Sequence, residues 1–458
     1  MSDFRHLSAS TGRADWARGP RPARPAHPIP GAGARRARRA ASLAALLWVP
    51  LVAAAERFPR PDFSQGYRAP AAAWPGAAPA WAEWLDMGLL GAALGLAAWL
   101  ALGRRSRNGL VALSLICLAY FGFWREGCLC PVGSVQVVAE GLATGMALPL
   151  SAVVFFVLPL LAALLFGRVF CAAVCPLGVL QDLVAVRPHR LSPGVHAALQ
   201  VLPVVALALT VLLAATQTAY LACRFDPLVP LLRRSGTVSE LLIGIGTLLL
   251  VVVLARPYCR FLCPYGLLLR LLSRLSWRHV TITPDTCIRC RLCGESCPFD
   301  AIEAASPERP PEAARVGVRR LAWLLALSPV LLVAFALLAA ELAPGLARLH
   351  QDVRLSDQFH AEAAGTAAPT VESVAFLSAS RSVEELHAAA AQRVQTLRRG
   401  GTWAGAFIGL LIASRLIGAS VRRRHDDFIP DRGRCLSCGR CFQSCPKEHL
   451  RRRQAPEA

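Results

Sequence analysis

Cys287-Ile-Arg-Cys290-Arg-Leu-Cys293-Gly-Glu-Ser-Cys297-Pro298 and Cys435-Leu-Ser-Cys438-Gly-Arg-Cys441-Phe-Gln-Ser-Cys445-Pro446 share one spacing, about 150 residues apart. Three closely spaced thiolates suit three corners of an iron–sulfur cube, and a fourth before proline reaches to the neighbouring cube. Two copies imply two [4Fe–4S] clusters and electron transfer. Crossed pairing would place Cys287, Cys290, Cys293 and Cys445 on one cluster and Cys435, Cys438, Cys441 and Cys297 on the other. Structural zinc is disfavoured, because two CxxC knuckles suffice for it and the Cys-Pro has no use there. Neither CxxC is followed by His, which excludes c-type haem.

Around these motifs lies apolar sequence. Of 458 residues, 55% are hydrophobic. Uncharged runs of bilayer-crossing length recur, and they predict eight spans near 41–55, 84–102, 109–123, 147–167, 197–219, 239–255, 321–340 and 402–420. The first is read as an uncleaved anchor, although Arg35–Arg39 before an apolar run also fits a signal peptide. The fold class is therefore mainly α: a polytopic membrane protein with a two-cluster module on one face. The net charge of +21 does not indicate nucleic acid. With alternating spans most arginines fall on one side, the positive-inside bias, so both termini are expected in the cytoplasm of a bacterium. Both four-cysteine segments then share that side, where a reducing compartment favours thiolates over disulfides.

The expected organisation is a basic, disordered, lipid-facing arm over 1–40 and a six-span membrane domain over 41–278. The first cluster segment follows at 279–318, then two spans bracketing an outer loop 341–400 within 319–421. The second cluster segment occupies 422–458. Residues 383–399 have amphipathic helical spacing.

An internal repeat runs through the membrane domain. Arg168-Val-Phe-Cys171-Ala-Ala-Val-Cys175-Pro176-Leu-Gly178 parallels Arg256-Pro-Tyr-Cys259-Arg-Phe-Leu-Cys263-Pro264-Tyr-Gly266. Four thiols at two matching helix ends fit a third metal centre, a dithiol pair or plain packing. A relative, Cys128-Leu-Cys130-Pro131-Val-Gly133, falls on the outer side together with Cys223 if the spans alternate, as in an inverted repeat, unless residues 109–146 re-enter from one side; a metal site, a disulfide and no joint role all remain open for these. Cys117 reads as packing. Arg125, Glu126, His189 and Asp226 flank spans, where a quinone pocket and ordinary solvation are both open.

The paired Arg-x-Phe/Tyr-Cys-x3-Cys-Pro-x-Gly motifs, followed by two ferredoxin motifs in a multispan chain, resemble the NosR/NapH membrane polyferredoxins. The likeness covers about 84–450. It places the family's cluster ligands on the eight cysteines of the ferredoxin motifs, and its CxxxCP motifs on Cys171/Cys175 and Cys259/Cys263. It implies electron relay at the bacterial inner membrane, as a component of a quinol-linked system. The donor would be quinol or a cytosolic reductant, and the acceptor a periplasmic redox protein or a separate flavoprotein. The outer loop is too small for the FMN domain of NosR, so FMN is not expected on this chain. Two alternatives stand beside this: a FixG/CcoG-like assembly factor supplying reductant or metal to a cuproenzyme, and a redox-sensing regulator. Because about 30 Å of hydrocarbon is too far for one tunnelling step, relay demands a centre inside the membrane.

Overall fold

The protein is described by a computed structural model over residues 79–127, 130–186, 189, 191–282, 287–303, 314–379, 382–420 and 428–454. The basic arm, the 41–55 run and Cys128 lie outside the described residues. Everything described belongs to the unit Pro70–Ala458.

Helices dominate because the apolar runs must satisfy their backbone internally. In chain order they include α1 (Ala80–Ala98), α2 (Arg107–Cys117), α3 (Pro131–Thr144), α4 (Leu150–Phe166), α5 (Pro176–Val184), α6 (Leu202–Ala215), α7 (Val238–Val253) and α8 (Pro264–Ser273). Then come α9 (Leu292–Ser296), α10 (Ala314–Ala347), α11 (Gln351–Ala363), α12 (Val371–Ser378), α13 (Val383–Ser420) and α14 (Arg440–Gln443). Among the described residues, five helical stretches are long and apolar enough to cross a membrane: Trp81–Gly103, Arg107–Trp124, Gly194–Ala215, Arg315–Ala347 and Val383–Gly418. Eight spans were expected. The runs at 147–167 and 239–255 are apolar helices too, but α4 has 17 residues and α7 has 16, about 24–26 Å at 1.5 Å per residue. Helix-ending signals shorten them: Gly167 closes α4 with φ 75°, and the left-handed Arg256 follows α7.

The stretch expected as an outer loop is mostly helical. Its first residues prolong α10, α11 and α12 fill its middle, and the amphipathic 383–399 segment runs without a break into the last span as α13. α10 and α13 pack along their length through Gly401, Gly405 and Gly409. A β-carbon on Gly405 would fall 2.2 Å from the Phe335 carbonyl oxygen, and one on Gly409 2.7 Å from that of Leu331. Small residues four apart let two backbones approach this closely.

The two cysteine-rich segments meet. Strand β1 (Ile302–Glu303) pairs antiparallel with β2 (Ile429–Pro430), with Ile302 opposite Pro430, and α9 packs against α14. Arg434 ties the halves together, bonding to Glu303 at 2.7 Å, to Asp431 at 3.0 Å and to the Asp300 carbonyl at 3.2 Å. The module rests on the helical bundle through Arg105–Glu448 (2.8 Å) and through Ser273, which donates to the Arg432 carbonyl.

A thiol-lined cavity beneath a two-cluster module

In the module the loop backbone makes the cysteine spacing work. Arg289, Arg291, Ser437 and Gly439 take left-handed conformations (φ 51°, 64°, 55° and 77°). These turns bend each C-x2-C-x2-C loop. Cys297 lies near Cys435, Cys438 and Cys441, while Cys445 neighbours Cys293. Backbone N–H groups serve the sulfurs, as with Ser437 to Cys435 Sγ at 3.4 Å. Burial pushes the Cys435 thiol up to about 12 and Cys293 up to about 11, so ligation here requires displacing protons. The donor set and its loops fit a pair of cubanes.

The second site lies deeper. Cys130, Cys171, Cys175, Cys259 and Cys263 line one apolar cavity. Its depth follows from α4, whose end beside Gly167 touches Ser437 of the module. Tyr265, next to Cys263, donates to the Phe156 carbonyl ten residues back along α4 at 2.7 Å, about 15 Å from that end. Each CxxxCP segment lies between two helices, α4 and α5 for the first and α7 and α8 for the second. Residues 170–174 form one wide π turn, a distortion common at functional sites. α5 and α8 then carry the chain back, so that Asp182 meets Arg256 and Ser273 meets the module.

Cys130, Cys175 and Cys263 are extended residues at the starts of α3, α5 and α8, with proline in the first turn of each. Proline suits that position because its missing N–H would be unpaired there anyway. Three helix amino-termini therefore face the sulfurs with partial positive charge. Gly266 N–H donates to Cys263 Sγ at 3.3 Å. The glycine of Cys-Pro-x-Gly is a packing necessity: a β-carbon on Gly266 would come within 3.1 Å of the Cys259 carbonyl, and on Gly178 within 3.1 Å of the Arg256 guanidinium.

The leading arginine of each repeat supplies fixed positive charge, a role the sequence reading did not assign. Arg256 is fully buried. It makes a two-pronged contact with Asp182 (2.7 and 2.5 Å) and donates to the Cys171 carbonyl at 2.5 Å. Arg168 donates to Cys171 Sγ at 3.6 Å and to the Gly433 carbonyl of the module at 3.4 Å. Arg256 also stacks over Phe299, 5.6 Å from its centroid, two residues past Cys297. Charge-compensating contacts thus connect cavity and module directly. Among the described residues no three or more His, Cys, Asp or Glu side chains are gathered as closely as a bound metal ion would require.

Several expectations need correcting. Cys130, which alternating spans would separate from the CxxxCP thiols, lines the same cavity as they do, after a turn at Glu126–Gly127 (φ 52° and 65°). The span-flanking ionisable residues form no common pocket: Arg125 pairs with Asp86 at 2.7 Å, and buried Asp226 accepts from Tyr258 at 2.5 Å. The Asp226 position is therefore not solvated. Cys117 is buried in the apolar core, as packing requires.

Long apolar helices, a two-segment cysteine module and a buried thiol cavity define a helical membrane protein that carries electrons on iron–sulfur centres. The "4Fe-4S binding domain" family matches this chain in two forms, one over residues 148–193 and 237–283, the other over 280–303. The first pair of matches contains both CxxxCP hairpins. "Uncharacterized protein MJ0750" of Methanocaldococcus jannaschii is 31% identical over 189 residues, covering 39% of this chain and 77% of the relative. The chain belongs to the same family as this relative. "Uncharacterized protein MJ0749" of the same organism is 30% identical over 160 residues, 33% of this chain and 59% of the relative. "Putative electron transport protein YccM" of Escherichia coli is 26% identical over 193 residues, 38% of this chain and 53% of the relative. The chain thus spans somewhat more than half the length of these last two. No solved structure matches it.

Proposed function

We propose that this iron–sulfur protein relays electrons across the bacterial inner membrane, from quinol or a cytosolic donor towards a periplasmic redox partner, in the manner of a NosR-like protein without a flavin domain. Both termini and the module lie on the cytoplasmic side. The eight ferredoxin-motif cysteines hold two [4Fe–4S] clusters in the crossed arrangement, and Cys171, Cys175, Cys259 and Cys263 hold a further centre. Bound there, such groups supply one-electron acceptance and donation.

The protein's own residues do the rest. Apolar walls around the cavity keep water from the sulfurs. Helix amino-termini and the buried guanidiniums of Arg168 and Arg256 stabilise added negative charge, which raises reduction potential. One observation carries the reading: the cavity that gathers the CxxxCP thiols adjoins the module, since its lining residues Arg168 and Arg256 reach Gly433 and Phe299 of that module.

The test is anaerobic purification with iron and sulfide counting, then mixing with menaquinol. Bleaching of the cluster absorbance on mixing supports the reading. A colourless preparation, or clusters that neither quinol nor a low-potential soluble donor reduces, would refute it.

A further inference from the structure

A second cavity, of about 30 Å³, lies where the module meets the helical bundle, and arginines line it. Arg168 follows α4, Arg260 precedes α8, Arg270 lies on α8 and Arg434 belongs to the module. Each of the first three keeps one sealed nitrogen without a hydrogen-bond partner among the described residues: Arg168 Nε, Arg260 Nη2 and Arg270 Nε. Arg168 is only 6% exposed and the Arg260 side chain 8%. A charged donor shut away from water is costly to leave unanswered, so three of them around one space call for an acceptor.

The groups already present do not supply it. Asp300 stands 3.6 Å from Arg260 Nη2, beyond hydrogen-bond reach. Asp431 and Glu303 are taken by Arg434, at 3.0 and 2.7 Å. Asp431 is the acidic group that Arg270 feels, against Arg415, Arg168 and Arg274, and burial with these cations pushes the Arg270 guanidinium down to about 9. Cys259 and Cys263 share the wall, but their sulfurs accept from Gln181 Nε2 at 3.0 Å and from the Gly266 N–H at 3.3 Å. The space holds roughly two waters, too little for a quinone ring and enough for one small anion. Guanidinium groups match oxyanions through paired hydrogen bonds, and basic pockets between membrane helices suit phosphate headgroups.

We propose that Arg168, Arg260 and Arg270 form a phosphate-binding site between the membrane domain and the module, filled by a phospholipid headgroup or by free phosphate. The anion braces the junction, where Arg168 already reaches the Gly433 carbonyl at 3.4 Å and Arg260 the Pro298 carbonyl at 3.5 Å. The site goes beyond the relay reading and does not rest on it.

The test uses the full chain, purified anaerobically in detergent with its clusters and washed into phosphate-free buffer. Phosphorus retained through washing is counted. Thermal unfolding is then followed as sodium phosphate, or a short-chain phosphatidylglycerol, is added at constant ionic strength. The parent is expected to retain phosphorus or to unfold at higher temperature as the probe is added, and so is Arg278→Gln, which alters an exposed arginine outside the cavity. Arg270→Gln should retain less and need about tenfold more probe for the same effect, the worth of one charged hydrogen bond. Arg270→Lys, which keeps the charge and loses the fork, should fall between them. A response to inorganic phosphate identifies the free anion; a response to the lipid alone identifies a headgroup. Equal retention and equal response in the parent and Arg270→Gln would overturn the site, as would a washed parent that retains no phosphorus and responds to neither probe. Should Arg270→Gln not fold, Arg270→Lys decides in its place.

Discussion

Arg256 and Asp182 face each other through two parallel hydrogen bonds, Nε to Oδ1 at 2.7 Å and Nη2 to Oδ2 at 2.5 Å. The arginine is sealed from solvent, whereas the aspartate side chain is 29% exposed. Removing the carboxylate leaves a buried cation without its counter-charge, a loss of about 3 kcal/mol or more. Asp182→Ala should lower the thermal unfolding temperature in detergent and deplete iron. Asp182→Glu, which restores the charge, should recover part of both. Equal stability of Asp182→Ala and the parent would show the pair to be idle.

The same pair sets an acid limit. Burial alone would raise the Asp182 carboxyl, but the charge and hydrogen bonds of Arg256 override it and hold it below 3.8. A depressed carboxylate contributes stability above its unfolded value and loses it as pH falls through the folded one. The stability gap between the parent and Asp182→Asn should therefore stay constant from neutral pH down to about pH 4 and shrink below it. Melting curves of the two proteins across that range would reveal a gap that instead closes near pH 6.

Cys297 stands among the cysteines of the other motif, so the two fourth cysteines should have exchanged allegiances. Cys297→Ser is expected to abolish the same spectral component as Cys435→Ser, and Cys445→Ser the same one as Cys287→Ser. Paramagnetic resonance of the reduced variants separates the two cases, and a Cys297→Ser spectrum like that of Cys287→Ser would contradict the crossing.

Gly405 meets the Phe335 carbonyl where no side chain fits. Gly405→Leu should force α10 and α13 apart, a cost on the order of 1–3 kcal/mol, and through α13 disturb the docking of β2 on β1. Cysteine cross-linking between the two helices would fall, with partial loss of iron. Gly418→Leu, where nothing lies within 4 Å of the added carbon, is the matched control.

The sequence showed the chemistry more readily than the path of the chain. Thiol spacing is local, so the module and its crossed neighbours were legible from Cys287 to Cys297 and from Cys435 to Cys445. Seven of the eight apolar runs are largely helical, because backbone self-satisfaction leaves an apolar stretch little alternative. The direction of the chain after each Cys-Pro was hidden. Gly127, Gly167 and Arg256 take left-handed or otherwise unusual backbone conformations where the chain turns, and packing against α4 aims α8, whereas packing against α2 and α7 aims α5. Arg168 and Arg256 looked like part of a general arginine excess, since a sequence does not distinguish a buried guanidinium from a solvated one. The Gly401–Gly405–Gly409 stripe was similarly mute: glycine in a helix reads as weakness until a neighbouring backbone is seen against it.

Strand β1 precedes the α10–α13 hairpin and β2 follows it, so the first set of ferredoxin cysteines is translated more than a hundred residues before its partner. Under the crossed ligation proposed above, neither cluster would have its last ligand until that whole hairpin had been synthesised, so cluster loading would wait on the second half of the chain.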